Sequence, residues 1–234
     1  MLKKRYVAAA KLVNEDQQYP LLKAVELLKQ MPPAKFNESV ELSVALNIDV
    51  KKNEQLVRGT VTLPHGTGKV RKVLVFCKGE KELQAKKAGA DYVAGPDTIQ
   101  KILDGWIDFD VIIATPDLMR EVSKLGRVLG PKGLMPNPKA GTVSDDVVKA
   151  LEDVKKGKVE FKMDKLAGIH FVIGKLSFTP QQLVENGEAA LQAIVRAKPA
   201  TVKGKLVRAL SLSSTMSPGI RLSMENLETE LVEA

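Results

Sequence analysis

The chain has 234 residues, 44% of them apolar, and 36 Lys and Arg against 28 Asp and Glu give it a formal charge of +8 and a pI near 9.4. That is enough apolar chain to bury one large or two ordinary cores, which excludes a disordered polyelectrolyte, and the charge favours a polyanionic partner over an acidic protein or a small ligand. Charge alone does not choose between RNA, DNA and an anionic membrane, but no stretch reaches the roughly 18 apolar residues of a spanning helix, so a membrane is left only as a surface for adsorption and none is expected as a partner.

In chain order, the start Met1-Leu2-Lys3-Lys4-Arg5 is basic, but the apolar run behind it is broken by Lys11 and has no cleavage pattern, so export is not expected. After Pro20, Leu21, Leu22, Val25 and Leu28 recur at helical spacing, and Pro32-Pro33 ends the segment by removing amide donors. From Glu38 the period falls to two. Val40, Leu42, Val44, Leu46 and Ile48 share one face, and Ser39, Glu41, Ser43 and Asn47 share the other. A second alternation puts Val57, Val61 and Leu63 inward before Pro64-His65-Gly66 turns the chain.

Between about Lys69 and Gly157, continuous apolar strands (Val73 to Cys77, Asp91 to Ala94, Val111 to Ala114) alternate with helical stretches near Glu80 to Ala88, Asp97 to Leu103, Asp117 to Lys124 and Ser144 to Lys155. This is the texture of βα units on a parallel sheet, with Ser144 as the expected N-cap of the last helix. The single Cys77 falls in a buried strand and forms no intrachain disulfide, which suits a reducing cytosol. Beyond Gly157 the period of two returns, with Val159, Phe161 and Met163 and then Ile169, Phe171 and Ile173 inward across a turn near Ala167-Gly168. A helix follows from Thr179-Pro180 to about Lys198, with Leu183, Ala190, Leu191 and Ile194 on its apolar face. Leu206 to Ser214 reads as the last strand, with Leu210 and Leu212 inward and Ser211, Ser213 and Thr215 outward.

The fold class expected is mixed α/β and α+β in two domains. A split outer domain built from both chain ends (1–66 and 158–234) carries an inserted Rossmann-like domain (67–157), the two crossings forming a double hinge.

Enzyme motifs fail one by one. His65 and His170, the only histidines, read as a turn and a strand residue, and with one cysteine they suggest no familiar zinc or Cys/His site. Gly66-Thr67-Gly68-Lys69 lacks the first glycine and the final hydroxyl of a phosphate loop, and Phe76-Cys77-Lys78-Gly79-Glu80 replaces a dinucleotide fingerprint. No catalytic residue, metal or cofactor is assigned. The runner-up, an α/β enzyme for a phosphate-bearing ligand, requires a pocket in residues 69–157, and a protein-only adaptor requires no RNA affinity at physiological salt. Two basic surfaces stand out instead. Residues 124–139 pack four cations among three glycines and three prolines, a stiff loop with little core of its own, and residues 158–224 hold ten Lys and Arg against four Asp and Glu. Cations among Ser and Thr hydroxyls suit RNA, with its phosphates and 2′-hydroxyls, while 4% aromatics argue against a stacking platform. The acidic tail with Glu225, Glu228, Glu230 and Glu233 reads as a solvated end.

Four strings carry a more specific signal: AKFNESVEL at 34–42, VRGTVTLPHGTGK at 57–69, LGRVLGPKGLMPNPKAGTV at 125–143 and SLSSTMSPGI at 211–220. In order and over nearly the whole chain, they resemble the bacterial type of the large-subunit ribosomal protein L-one family. The resemblance implies a non-enzymatic, cytoplasmic, ribosome-bound protein that holds ribosomal RNA of the mobile stalk and assists release of deacylated tRNA from the exit site. It also implies repression of its own messenger RNA through the leader, and a monomer away from the ribosome. Family contact positions match Lys35, Phe36, Ser39, Glu41, Thr215 and Met216, with Phe36 expected to shape the site more than it stacks, the alternative being a core residue that anchors the strand start. One departure is Ser217, where the family usually has glycine. Together with the basic and outward positions of the returning half, the expected interface is Lys35, Phe36, Ser39, Glu41, Lys165, His170, Arg208, Ser211, Ser213, Thr215, Met216, Ser217 and Gly219. The secondary basic loop contributes Lys124, Arg127, Lys132 and Lys139.

Overall fold

A computed structural model describes residues 4–14, 16–50, 55–138, 141–202 and 204–224. The chain is a mixed α/β protein whose contacts gather in two compact units, residues 1–68 with 159–234 and residues 69–158.

In the first unit the period-two segments become β1 (Ser39–Leu46), β7 (Gly168–Lys175) and β8 (Val207–Ser214), joined by a short β9 (Ile220–Leu222). They form one antiparallel sheet in the order β7-β1-β8-β9. Leu42 stands opposite both Phe171 and Leu212, so residues about 130 and 170 positions away in sequence close the same core layer. Val40, Leu42, Val44 and Leu46 are buried as their alternation requires. Above them lie α2 (Leu21–Gln30) and α8 (Pro180–Arg196). The second helix starts where it does because Thr179 Oγ1 accepts from the Gln182 amide while Gln182 Oε1 accepts from the Thr179 amide, a reciprocal cap with Pro180 at the first helical position. Its buried Asn186 donates to Gly66 O and Ile173 O and accepts from the His65 amide, which ties the turn after β2 (Arg58–Thr62) to the helix. β2 pairs with β6 (Lys158–Lys162) as a separate two-stranded sheet, bridged by Arg58 and Glu160 at 2.5 Å.

In the second unit, β3 (Val73–Phe76), β4 (Tyr92–Ala94) and β5 (Val111–Ala114) form a parallel sheet in the order β4-β3-β5. Successive residues of β3 feed opposite cores. Leu74 and Phe76 pack with Ile102 of α4 (Pro96–Leu103) and with Leu118, Val122, Leu125 and Leu129. Val73, Val75 and the buried Cys77 pack with Ala85 of α3 (Glu80–Lys87) and with Val147, Leu151 and Val154 of α7 (Val147–Lys155). Burial pushes the Cys77 thiol up in pKa, which favours an unreactive thiol.

Several expectations are corrected. The N-cap of α7 is Asp146, whose carboxylate accepts from the Lys149 amide, while Ser144 Oγ accepts from the Asp146 amide one step earlier. On α2 the buried residues are Ala24, Val25 and Leu28, and Leu22 is 52% exposed, because the sheet covers one stripe of the helix only. The stretch expected as one helix to Lys124 is a broken run: 3₁₀ at Pro116–Leu118, α5 (Met119–Val122), 3₁₀ at Ser123–Leu125 and α6 (Gly126–Leu129). The supposed coreless loop therefore opens helically, with Leu125 and Leu129 fully buried. Gly130 permits this, since a Cβ there would lie 2.6 Å from Gly126 O. A short helix α1 (Lys4–Ala10) precedes the region where helix was expected. Finally, β8 is not last. β9 follows it, and Tyr19 bridges the far side of β9, so Thr215 to Gly219 form a connection between strands.

Candidate nucleic-acid interface

The face of the four-stranded sheet turned away from the helices presents its residues in cross-strand rows. Ser43 stands between His170 and Ser211, with Arg221 beyond Ser211, and Glu41 stands between Val172 and Ser213. At the start of β1 Ser39 is opposite Lys175, whose Nζ donates to Ser39 Oγ at 2.8 Å. On its other side the Ser39 amide donates to Thr215 Oγ1 at 3.1 Å. Eight of the expected interface residues thus belong to one continuous surface: Ser39, Glu41, His170, Ser211, Ser213, Thr215, Met216 and Arg208. Every row mixes hydroxyls with a charged or imidazole side chain, which offers donors to phosphate and both donors and acceptors to ribose.

One end of this face is concave, a cavity of about 410 Å³ with Ser43, Ala45, His170, Ser211, Arg208 and Arg221 among its lining. His170 Nδ1 lies 2.9 Å from Ser43 Oγ, and its Nε2 is 3.8 Å from Asp164. Asp164 accepts from the Gly168 and Leu166 amides, both at 2.7 Å, and these hydrogen bonds hold its carboxyl below the usual aspartate range. The turn so built places Lys165 in solvent and carries Ala167 at φ 61°.

The opposite end is built around a buried carboxylate. Glu38 is 2% exposed and, among the described residues, the only charged side chain in the buried class. Its Oε1 accepts from Arg5 Nη1 (3.2 Å) and the Ala34 amide (2.9 Å), and its Oε2 from Ser214 Oγ (2.6 Å) and the Met216 amide (3.0 Å). Burial opposes the charge, but the Ser214 hydroxyl, the two amides and the guanidinium outweigh it, and the carboxyl stays below the ordinary glutamate value. Next to it Asn37 exchanges hydrogen bonds with Ser177 through its Nδ2 and Oδ1. With Asn37 and Glu38 both anchored, Lys35 and Phe36 are left outside. Phe36 is 55% exposed, so it is not a core residue, and Met216 is 46% exposed.

Ser217 departs from the glycine expected at its position, and its geometry supplies a reason the residue fits. No left-handed φ occurs there, and its hydroxyl turns inward, accepting from the Ser214 amide at 2.8 Å and donating to Pro218 O at 3.0 Å. The extra side chain closes the turn. Gly219 is exposed, and a Cβ on it would meet nothing within 4 Å.

Lys124, Arg127 and Lys132 belong to the other unit, where all three are exposed, and Lys139 lies outside the described residues, as do Glu225, Glu228, Glu230 and Glu233. Sequence reasoning missed Arg5, Glu38, Ser43, Lys175 and Arg221. Ser43 was recoverable, since it shares the outward parity of Ser39 and Glu41. Glu38 shares the inward parity of Val40 and Leu42, but its partners Ser214 and Met216 are 176 and 178 residues away, beyond the reach of a local pattern.

The sequence model of the Ribosomal protein L1p/L10e family matches residues 27–218, more than four-fifths of the chain. The match takes in Glu38, β1 and the turn through Met216, and it leaves Arg5 outside.

Proposed function

The chain belongs to the Ribosomal protein L1p/L10e family, and from that premise we propose that the open sheet face, from Phe36 and Thr215 to Arg208, is where this chain grips ribosomal RNA of the large-subunit stalk. The family is one of structural, RNA-binding proteins of the large ribosomal subunit and not of enzymes. On the ribosome in the cytoplasm, the bound chain holds the stalk beside the tRNA exit site and assists departure of deacylated tRNA. Away from it, the monomer binds the leader of its own messenger RNA and represses its translation. The exposed cations Lys124, Arg127 and Lys132 form a second, weaker contact, available to the exit-site tRNA.

The observation that carries this reading is the meeting of Ser39 with Thr215 and of Glu38 with Met216 at one end of a hydroxyl-rich sheet face, although the chain separates the two groups by about 175 residues. Residues 1–66 and 158–234 are on this proposal the RNA-binding outer domain and residues 67–157 the inserted one. The test is footprinting of purified large-subunit RNA by the whole chain, with filter binding of 1–66 linked to 158–234 and of 67–157 alone. The linked outer piece is expected to keep the specific affinity. If 67–157 retains most of it, the loop of Lys124 to Lys132 is the site and this assignment fails.

A further inference from the structure

We propose that Arg5 is a positioning residue of the RNA interface: from α1 it holds the turn Ser214–Ser217 in its binding shape through Glu38, without itself touching RNA. This rests on the interface reading above. The Met216 backbone is held on both sides of its Cα, its N–H donating to Glu38 Oε2 at 3.0 Å and its C=O accepting from Arg5 Nη2 at 3.1 Å. Arg5 Nη1 donates in addition to Glu38 Oε1 and to Pro32 O, both at 3.2 Å. One guanidinium therefore links three places in the chain: the end of the α2 loop, the start of β1 and the turn after β8.

The physical need for it is plain. A carboxylate as buried as Glu38 demands a counter-charge, and among the described residues the cation paired with it is Arg5. The fork of donors is also specific, because a guanidinium reaches two acceptors in fixed directions whereas an ammonium is a single point. The seven residues of α1 are too few to persist by helix propensity alone. They are held by Ala9, buried in the first unit's core, and by these Arg5 hydrogen bonds. Thr215 and Met216 thus project from a turn whose backbone is set by a residue more than 200 positions earlier.

The test compares the whole chain with Arg5→Ala and Arg5→Lys in two measurements. Amide hydrogen exchange in the free protein is expected to quicken at least about tenfold at Met216 in Arg5→Ala, while the Leu212 amide in β8 keeps its protection and certifies the fold. Filter binding to purified large-subunit ribosomal RNA is expected to weaken by about tenfold, with Arg5→Lys intermediate and the salt dependence unchanged, since Arg5 neutralises no phosphate. Adding Glu38→Gln to Arg5→Ala is expected to cost less than the two losses combined, because both act on one turn. Unchanged exchange at Met216 overturns the proposal. So does quickened exchange with unchanged affinity, and so does a salt slope smaller by about one, which makes Arg5 a direct phosphate contact. If the unaltered chain itself fails to bind the RNA, the interface reading falls, an outcome distinct from one in which it binds and Arg5→Ala binds equally well.

Discussion

Removing the Thr215 hydroxyl separates what that group does for the fold from the role in RNA binding proposed for it. Thr215→Val keeps the shape and deletes one oxygen. That oxygen accepts from the Ser39 amide at 3.1 Å and lies 3.4 Å from Ser39 O, so it closes the end of the ladder between β1 and β8. The backbone bond from the Thr215 amide to Ser39 O, also 3.1 Å, survives the change. Since Thr215 is exposed, water can take over the Ser39 amide, and the stability cost falls at the low end of a net hydrogen bond, about 0.5–1 kcal/mol. The hydroxyl proton is poorly spent at 3.4 Å and is free to donate to a phosphate or ribose oxygen. Losing that bond to a charged acceptor costs about 1–3 kcal/mol of binding, or roughly 5- to 150-fold in Kd. Urea unfolding measures the first quantity, and calorimetric titration with stalk RNA the second. A variant whose stability falls by the stated amount while its affinity stays put shows that the hydroxyl serves the fold alone and takes Thr215 out of the interface.

Affinity for RNA is expected to fall with salt, with a log–log slope of up to about −0.9 per neutralised phosphate, and Lys35→Ala and Arg208→Ala are each expected to flatten it by about one; a response flat from the outset rules out phosphate contacts. Because the folded Glu38 carboxyl lies below its ordinary value of 4.5, the stability it contributes is fully present above that pH and is lost as pH falls through the lowered folded value. Urea midpoints followed from neutral pH into acid should therefore decline, and Glu38→Gln should remove part of that decline; an identical acid limb in the variant contradicts the assignment. Leu212 is fully buried between its partners Leu42 and Ile220, so Leu212→Ala is expected to cost about 2–5 kcal/mol in a urea titration, and a loss under 1 kcal/mol argues against this strand order.

Much of the fold is legible in the residues themselves. The alternation of Val40, Leu42, Val44 and Leu46 dictates which side of β1 is buried, because side chains of a strand point in opposite directions at successive positions, whatever the partner. The same holds for Phe171 and Leu212, and Thr179-Pro180 with Gln182 marks the start of α8 by chemistry confined to four residues. The outward hydroxyls Ser39, Ser211 and Ser213 follow from the same parity and lead to the sheet face. Parity, however, says nothing about neighbours. That β1 lies centrally between β7 and β8, and that β9 adds an edge held by Tyr19, are matters of long-range pairing. Three side-chain outcomes belong to the same class. Glu38, polar by type, is buried because Arg5, Ser214 and Met216 meet around it; Phe36, apolar by type, is exposed because Asn37 and Glu38 are both tied down beside it; and the Ser217 hydroxyl turns into its own turn. A local pattern encodes the face a residue takes on its own strand or helix, whereas the stability of a buried charge depends on partners that only the folded chain brings within 3 Å or so of each other.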